Sequence, residues 1–88
     1  MEIADLRRQI DGVDDQILEL LNHRAALALE IAKAKRTLGQ PIHVPDREEQ
    51  VLTRLSLRMP GPLPPEAVVR IFQRIIEESR GLEESGAG

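Results

Sequence analysis

The sequence contains no cysteine, no tryptophan and no tyrosine, and Phe72 is its single aromatic residue. Without thiols there is no disulfide framework, no thiolate metal site and no thiol nucleophile. With so few aromatics the interior has to be built from Leu, Ile, Val and Ala, which favours helices. No uninterrupted apolar run approaches the ~20 residues that a membrane span requires. The opening stretch "MEIADLRRQIDG" is charged and amphipathic, unlike a secretion signal. Neither sign of charge dominates. The formal net charge is −3, with both signs interspersed, which argues against a nucleic-acid surface. The expectation is a soluble cytoplasmic protein with no membrane attachment. Its 88 residues suffice for one domain. That domain is expected over residues 1–83, with 84–88 as a flexible tail.

What the sequence does have is a long, regular apolar pattern. Counting in sevens from Ile3, one set of positions holds Ile3, Ile10, Ile17, Arg24, Ile31 and Leu38, and the other holds Leu6, Val13, Leu20, Leu27 and Ala34. Every member is apolar except Arg24. This 3.5-residue repeat is a coiled-coil seam, and Gly39 is a natural stop for it. "GQPIHVP" then breaks the chain. Asp46 reads as an N-cap, with Glu49 completing a capping box, for a second helix running to about Met59 with Val51, Leu52, Leu55 and Met59 on its stripe. "PGPLPP" is a rigid turn, and a third helix starts near Pro65, a favourable first-turn residue. Its stripe is Val68, Phe72, Ile75, Ile76, Ser79 and Leu82. Gly81, costing roughly 1 kcal/mol relative to Ala, predicts fraying near its end.

Helix length predicts an oligomer. From Ile3 to Leu38 the first helix is ~52 Å long at 1.5 Å per residue, whereas a compact domain of this size is roughly 30 Å across. Two short helices cannot cover such a seam. The fold class expected is therefore all-α, with three helices per chain in an intertwined helical homodimer.

Several polar residues fall on apolar faces. Arg24 interrupts the seam, Glu48 shares a stripe with Leu52 and Leu55, and Ser79 follows Phe72 and Ile75. Glu83 lies one turn beyond Ser79. Arg7 and Lys35 flank the seam, and Arg47 sits at a helix N-terminus, where a cation gains nothing from the dipole. Each has a plain structural explanation. A polar residue at a core-facing coiled-coil position often sets register or oligomer state. Glu48 can pair with Arg24 or Arg47, Ser79 can bond within its own helix, and Arg7 and Lys35 can be solvated. His23 and His43 read as surface or loop residues, since neither has a second ligand at metal-like spacing, and no metal is expected. Against these explanations stands the charge balance, because buried charges need partners. Four cations (Arg7, Arg24, Lys35, Arg47) face two carboxylates (Glu48, Glu83), an excess that suits a ligand with about two negative charges. Arginine grips carboxylates and phosphates in bidentate fashion. Arg7 and Lys35 are ~42 Å apart along one helix, so Arg7 can join the others only from an antiparallel partner chain.

Taken together, "LRRQIDGVDDQILELLNHRAALALEIAKAK", "PDREEQVL" and "IFQRIIEESRGLE" resemble, in order and spacing, the all-α (AroQ-class) chorismate mutases over nearly the whole chain. The resemblance implies an intertwined dimer with two equivalent active sites and no cofactor. The implied reaction is the pericyclic rearrangement of chorismate to prephenate in phenylalanine and tyrosine biosynthesis. It further implies that Arg7 is donated by the partner subunit and that Arg7, Arg24 and Lys35 hold the two carboxylates of chorismate, with Ser79 assisting. Glu48 receives the ring hydroxyl, Lys35 also addresses the ether oxygen, and Arg47 helps order the site. Val44 stands where the family often has an aspartate, which leaves a backbone contact at that position. Glu83 stands where a glutamine often donates to the ether oxygen, so it must be protonated to do the same.

Three other readings compete. An isochorismate pyruvate-lyase of the same fold is disfavoured by Glu48, and pyruvate release from isochorismate would identify it. A regulatory domain that binds chorismate or prephenate within a fused enzyme is a second. A plain structural coiled coil is the third, and it predicts that Arg24→Leu stabilises the protein with nothing lost.

Overall fold

A computed structural model describes residues 2–58 and 61–85. Among them the chain forms three α-helices, α1 (Ile3–Leu38), α2 (Pro45–Ser56) and α3 (Pro65–Ser85). The expected extent of α1 and its stop are found. Gly39 adopts a left-handed conformation, φ 70°. Its N–H reaches the carbonyl of Arg36 at 3.3 Å, and the N–H of Gln40 reaches that of Lys35 at 2.8 Å. This pair of bonds is a Schellman motif, and it satisfies carbonyls that a helix end otherwise leaves unpaired. An L side chain in that conformation costs about 1–2 kcal/mol. Gly39→Ala is therefore expected to lower the unfolding free energy by about that amount, measurable by urea titration.

The start of α2 differs from expectation. Asp46 is not the cap: Pro45 is the first helical residue, and Val44, extended at φ −124° and ψ 91°, precedes it without any side-chain cap bond. Proline supplies a φ already suited to the first turn and lacks only an N–H that would be unpaired there. The Val44 carbonyl accepts from the N–H groups of Arg47 at 3.1 Å and Glu48 at 3.2 Å. Asp46 becomes a first-turn acid, favourable with the helix dipole. The helix also ends early, at Ser56; Leu57 N–H still makes a normal helical bond to the Thr53 carbonyl, and Arg58 N–H makes a tightened i→i−3 bond to the Leu55 carbonyl. Met59, expected on its stripe, lies outside the described residues. At the third helix Pro65 is the first residue, as expected. Gly81 does not end it; the helix continues to Ser85, two residues past the expected domain end.

α3 packs against both α1 and α2. The buried residues are few: Ala28, Ala32, Val51, Ile76 and Ser79. Ala28 and Ala32 are one turn apart and are the buried residues of α1. The heptad seam is left largely uncovered. Ile3, Leu6, Ile10, Val13, Ile17, Leu20, Leu27, Ile31 and Leu38 are all exposed, from 44% at Leu6 to 68% at Leu38. The chain measures 55 × 26 × 16 Å with a radius of gyration of 16.0 Å, against about 12 Å for a compact domain of this length. A contiguous apolar surface of that extent is uncommon on a soluble monomer. No helix among the described residues is long and apolar enough to cross a membrane.

Candidate active site

A cavity of about 260 Å³ opens where the C-terminal half of α1 and α3 meet the 42–48 segment. Each helix presents one face to it, with the same helical spacing. α1 contributes Arg24, Leu27, Ala28, Ile31 and Lys35; the start of α2 contributes Val44, Arg47, Glu48 and Val51; α3 contributes Ile76, Ser79, Arg80 and Glu83. Residues at i, i+3, i+4 and i+7 share a helix face, so burying Ala28, Val51 and Ile76 carries the neighbouring polar side chains to a common centre.

Of the residues expected in a site, Arg24, Lys35, Val44, Arg47, Glu48, Ser79 and Glu83 all line this cavity. Arg7 does not. It is exposed on α1, about 25 Å along the helix from Arg24. The polar contacts are specific. Nη1 of Arg24 donates to Oγ of Ser79 at 2.8 Å, so the buried serine bonds across helices rather than within its own. Nζ of Lys35 donates to the Ile42 carbonyl at 3.1 Å, which anchors the lysine beside the 42–48 segment. Arg36 donates to the Glu83 carbonyl and ties the end of α1 to α3.

Glu48 pairs with neither Arg24 nor Arg47 among these contacts. Its Oε2 lies 3.3 Å from Nε2 of His43 and 3.9 Å from Nη1 of Arg80, and Arg80 in turn lies 2.8 Å from His43 Nε2. Sequence reasoning missed both of these partners. His43 had only its place in "PIHVP" to mark it, and a loop histidine without a second ligand carries little signal. Arg80 had more, since Ile76, Ser79, Arg80 and Glu83 form one helix face.

With Arg80 included, the cavity of one chain is lined by four cations (Arg24, Lys35, Arg47, Arg80) and two carboxylates (Glu48, Glu83). An excess of two positive charges remains. Burial pushes the Glu83 carboxyl above its ordinary value; Lys35 and Arg24 oppose this, while Glu48 and Glu84 add to it. The cavity therefore combines fixed cations, one carboxylate with its own partners, and a second carboxyl with an enhanced hold on its proton. Such a set can bind a dianion and present positive charge and a hydrogen-bond donor to one point on it.

The family model described as chorismate mutase type II matches residues 6–84. The chain belongs to that family. The bifunctional chorismate mutase/prephenate dehydratase of Aquifex aeolicus (strain VF5) is 41% identical over 87 residues, covering 93% of this chain. This chain spans only 24% of that relative's length. Among solved structures, chorismate mutase (form II) from Thermus thermophilus aligns with a TM-score of 0.91 and 40% identity, covering 93% of each chain. Chorismate mutase from Helicobacter pylori, solved in complex with prephenate, aligns with a TM-score of 0.88 and 33% identity over 97% of this chain and 92% of that one.

Proposed function

We propose that this chain is a chorismate mutase of aromatic amino acid biosynthesis, acting as a homodimer. The observation that carries the reading is the convergence of Arg24, Lys35, Glu48, Ser79 and Glu83 on one cavity with an excess of positive charge. Chorismate is a dicarboxylate. Its rearrangement breaks one C–O bond as it forms one C–C bond, with no nucleophile, proton transfer or cofactor. A catalyst contributes by holding the enolpyruvyl arm over the ring in a reactive conformer and by placing positive charge where the ether oxygen gains electron density.

In this reading Arg24, held by Ser79, grips one carboxylate. Arg47 orders the adjoining wall, and the Val44 backbone fixes where α2 begins. Glu48 accepts the ring hydroxyl, while Lys35 and protonated Glu83 donate to the ether oxygen. Arg7 reaches the other carboxylate from a partner chain that covers the exposed α1 seam. Direct assay of chorismate disappearance and prephenate formation by the purified chain tests the reaction. Pyruvate release from isochorismate without prephenate would replace it by the lyase reading, which Glu48 disfavours.

The elevation of Glu83 sets a pH dependence. Below its pKa the carboxyl carries a proton and can donate; above it, the carboxylate repels the developing charge. Activity is therefore expected to fall as pH rises through the Glu83 ionisation, and Glu83→Gln, which always donates, flattens that fall. An identical kcat/KM profile in wild type and Glu83→Gln would remove Glu83 from the mechanism. The same shift acts on folding. The proton is held more tightly in the folded chain than in the unfolded one, so the stability it contributes is full at low pH and is lost as pH rises through the folded-state value.

A further inference from the structure

His43, Glu48 and Arg80 form a cluster in which one ring nitrogen faces two different groups. Nε2 of His43 lies 2.8 Å from Nη1 of Arg80 and 3.3 Å from Oε2 of Glu48. A guanidinium can only donate, and an ionised carboxylate can only accept. Nε2 cannot satisfy both. As an acceptor from Arg80 it must carry its lone pair, which places the ring hydrogen on Nδ1. As a donor to Glu48 it must carry the hydrogen and forgo the bond from Arg80. The first arrangement makes the shorter contact a hydrogen bond, and in it the ring offers Glu48 no hydrogen bond.

We propose that Arg80 is a positioning residue: by donating to Nε2 of His43 it holds that ring in the Nδ1–H tautomer, which leaves Oε2 of Glu48 open to a hydroxyl donor on the substrate. The proposal rests on the mutase reading, in which Glu48 accepts the ring hydroxyl. The geometry around Glu48 suits that role. Its side chain is 28% exposed, so the carboxylate is held by the protein yet remains within reach of a ligand. Arg80 stays 3.9 Å from the same oxygen, beyond hydrogen-bond distance, and opposes its charge without occupying its lone pairs. Losing Arg80 frees His43 to flip to the Nε2–H tautomer. That hydrogen then occupies one lone pair of Oε2 and competes with the substrate hydroxyl for that oxygen.

Two measurements on the full chain test this. The chain has only two histidines, so ring 15N–1H correlation spectra distinguish His43 from His23. Neutral wild type is expected to show Nδ1–H at His43, Arg80→Met to show Nε2–H, and Arg80→Lys, which keeps a donor, to retain Nδ1–H. The second measurement is selectivity, the ratio of kcat/KM for chorismate to that for an analogue lacking the ring hydroxyl. Arg80→Met is expected to lower this ratio about tenfold, mainly by raising KM for chorismate, with Arg80→Lys restoring much of it. Adding Glu48→Gln to Arg80→Met should lower the ratio little further, because both act on one contact. An Nε2–H ring in wild type overturns the proposal, as does an active Arg80→Met enzyme with unchanged selectivity, and in those cases the mutase reading stands. A wild type that converts neither compound overturns the mutase reading, and the role of Arg80 with it.

Discussion

On the mutase reading, Lys35→Met is expected to lower kcat for chorismate by about 10²–10³-fold, the usual cost of removing one preorganised donor aimed at developing negative charge. The side chain is only partly exposed, and its Nζ is fixed by the Ile42 carbonyl at 3.1 Å, so the ammonium is already in place when substrate arrives. A lysine has three donors, and one bond to Ile42 leaves two for the ligand. The ether oxygen carries little charge in chorismate and more in the transition state. The lost interaction is therefore largely specific to the transition state, and kcat should fall more than KM rises. Steady-state rates followed by chorismate absorbance measure this without interference, since the chain has no Trp or Tyr. Methionine preserves most of the apolar stem, so the thermal midpoint should move little. A variant with unchanged kcat and a raised KM would assign Lys35 to ground-state binding alone.

If the proposed homodimer shares its sites between chains, mixing two inactive variants is expected to restore activity. Arg7→Ala and Lys35→Met each disable both sites of a homodimer if every site takes Arg7 from one chain and Lys35 from the other. In a mixed dimer, one site receives both defects and the other receives none. Random reassociation makes about half of the dimers mixed, and half of their sites intact, so recovery of about a quarter of wild-type activity is expected. The physical basis is distance: 28 residues of continuous helix separate Arg7 from Lys35, or ~42 Å, and a straight helix cannot fold back on itself. The nine exposed apolar residues of the seam supply the surface on which a second α1 would lie. Denaturing and refolding the variants together, then assaying against each alone, gives the readout. No recovery from a mixture that has demonstrably exchanged subunits would place Arg7 outside the site.

Much of the architecture was legible from pattern alone, for reasons visible at particular residues. The heptad run from Ile3 to Leu38 and the left-handed Gly39 defined α1 because helix periodicity and a φ above zero are local properties. Pro65 marked the start of α3 in the same way. The sequence misleads at the start of α2, where Asp46 looks like the cap and Pro45 like part of the breaking loop, whereas Pro45 is the first helical residue because its backbone is already in the helical range.

The sequence by itself determined the helices, the excess of cations on apolar faces and the need for something beyond the chain to cover a 36-residue helix. Arg24 stood out because a charge on an apolar seam is costly wherever it lies, so its oddity could be read before its neighbours were known. Its partner could not. Only the tertiary structure decided that Arg24 bonds Ser79, fifty-five residues away, that Glu48 faces His43 and Arg80 rather than Arg24 or Arg47, and that Ala28 and Ala32 are buried on α1 while the apolar residues of the heptad seam stay exposed. These pairings depend on how three helices are rotated and inclined against one another. Periodicity states which residues share a face, but which face of α1 is buried depends on packing between residues distant in sequence.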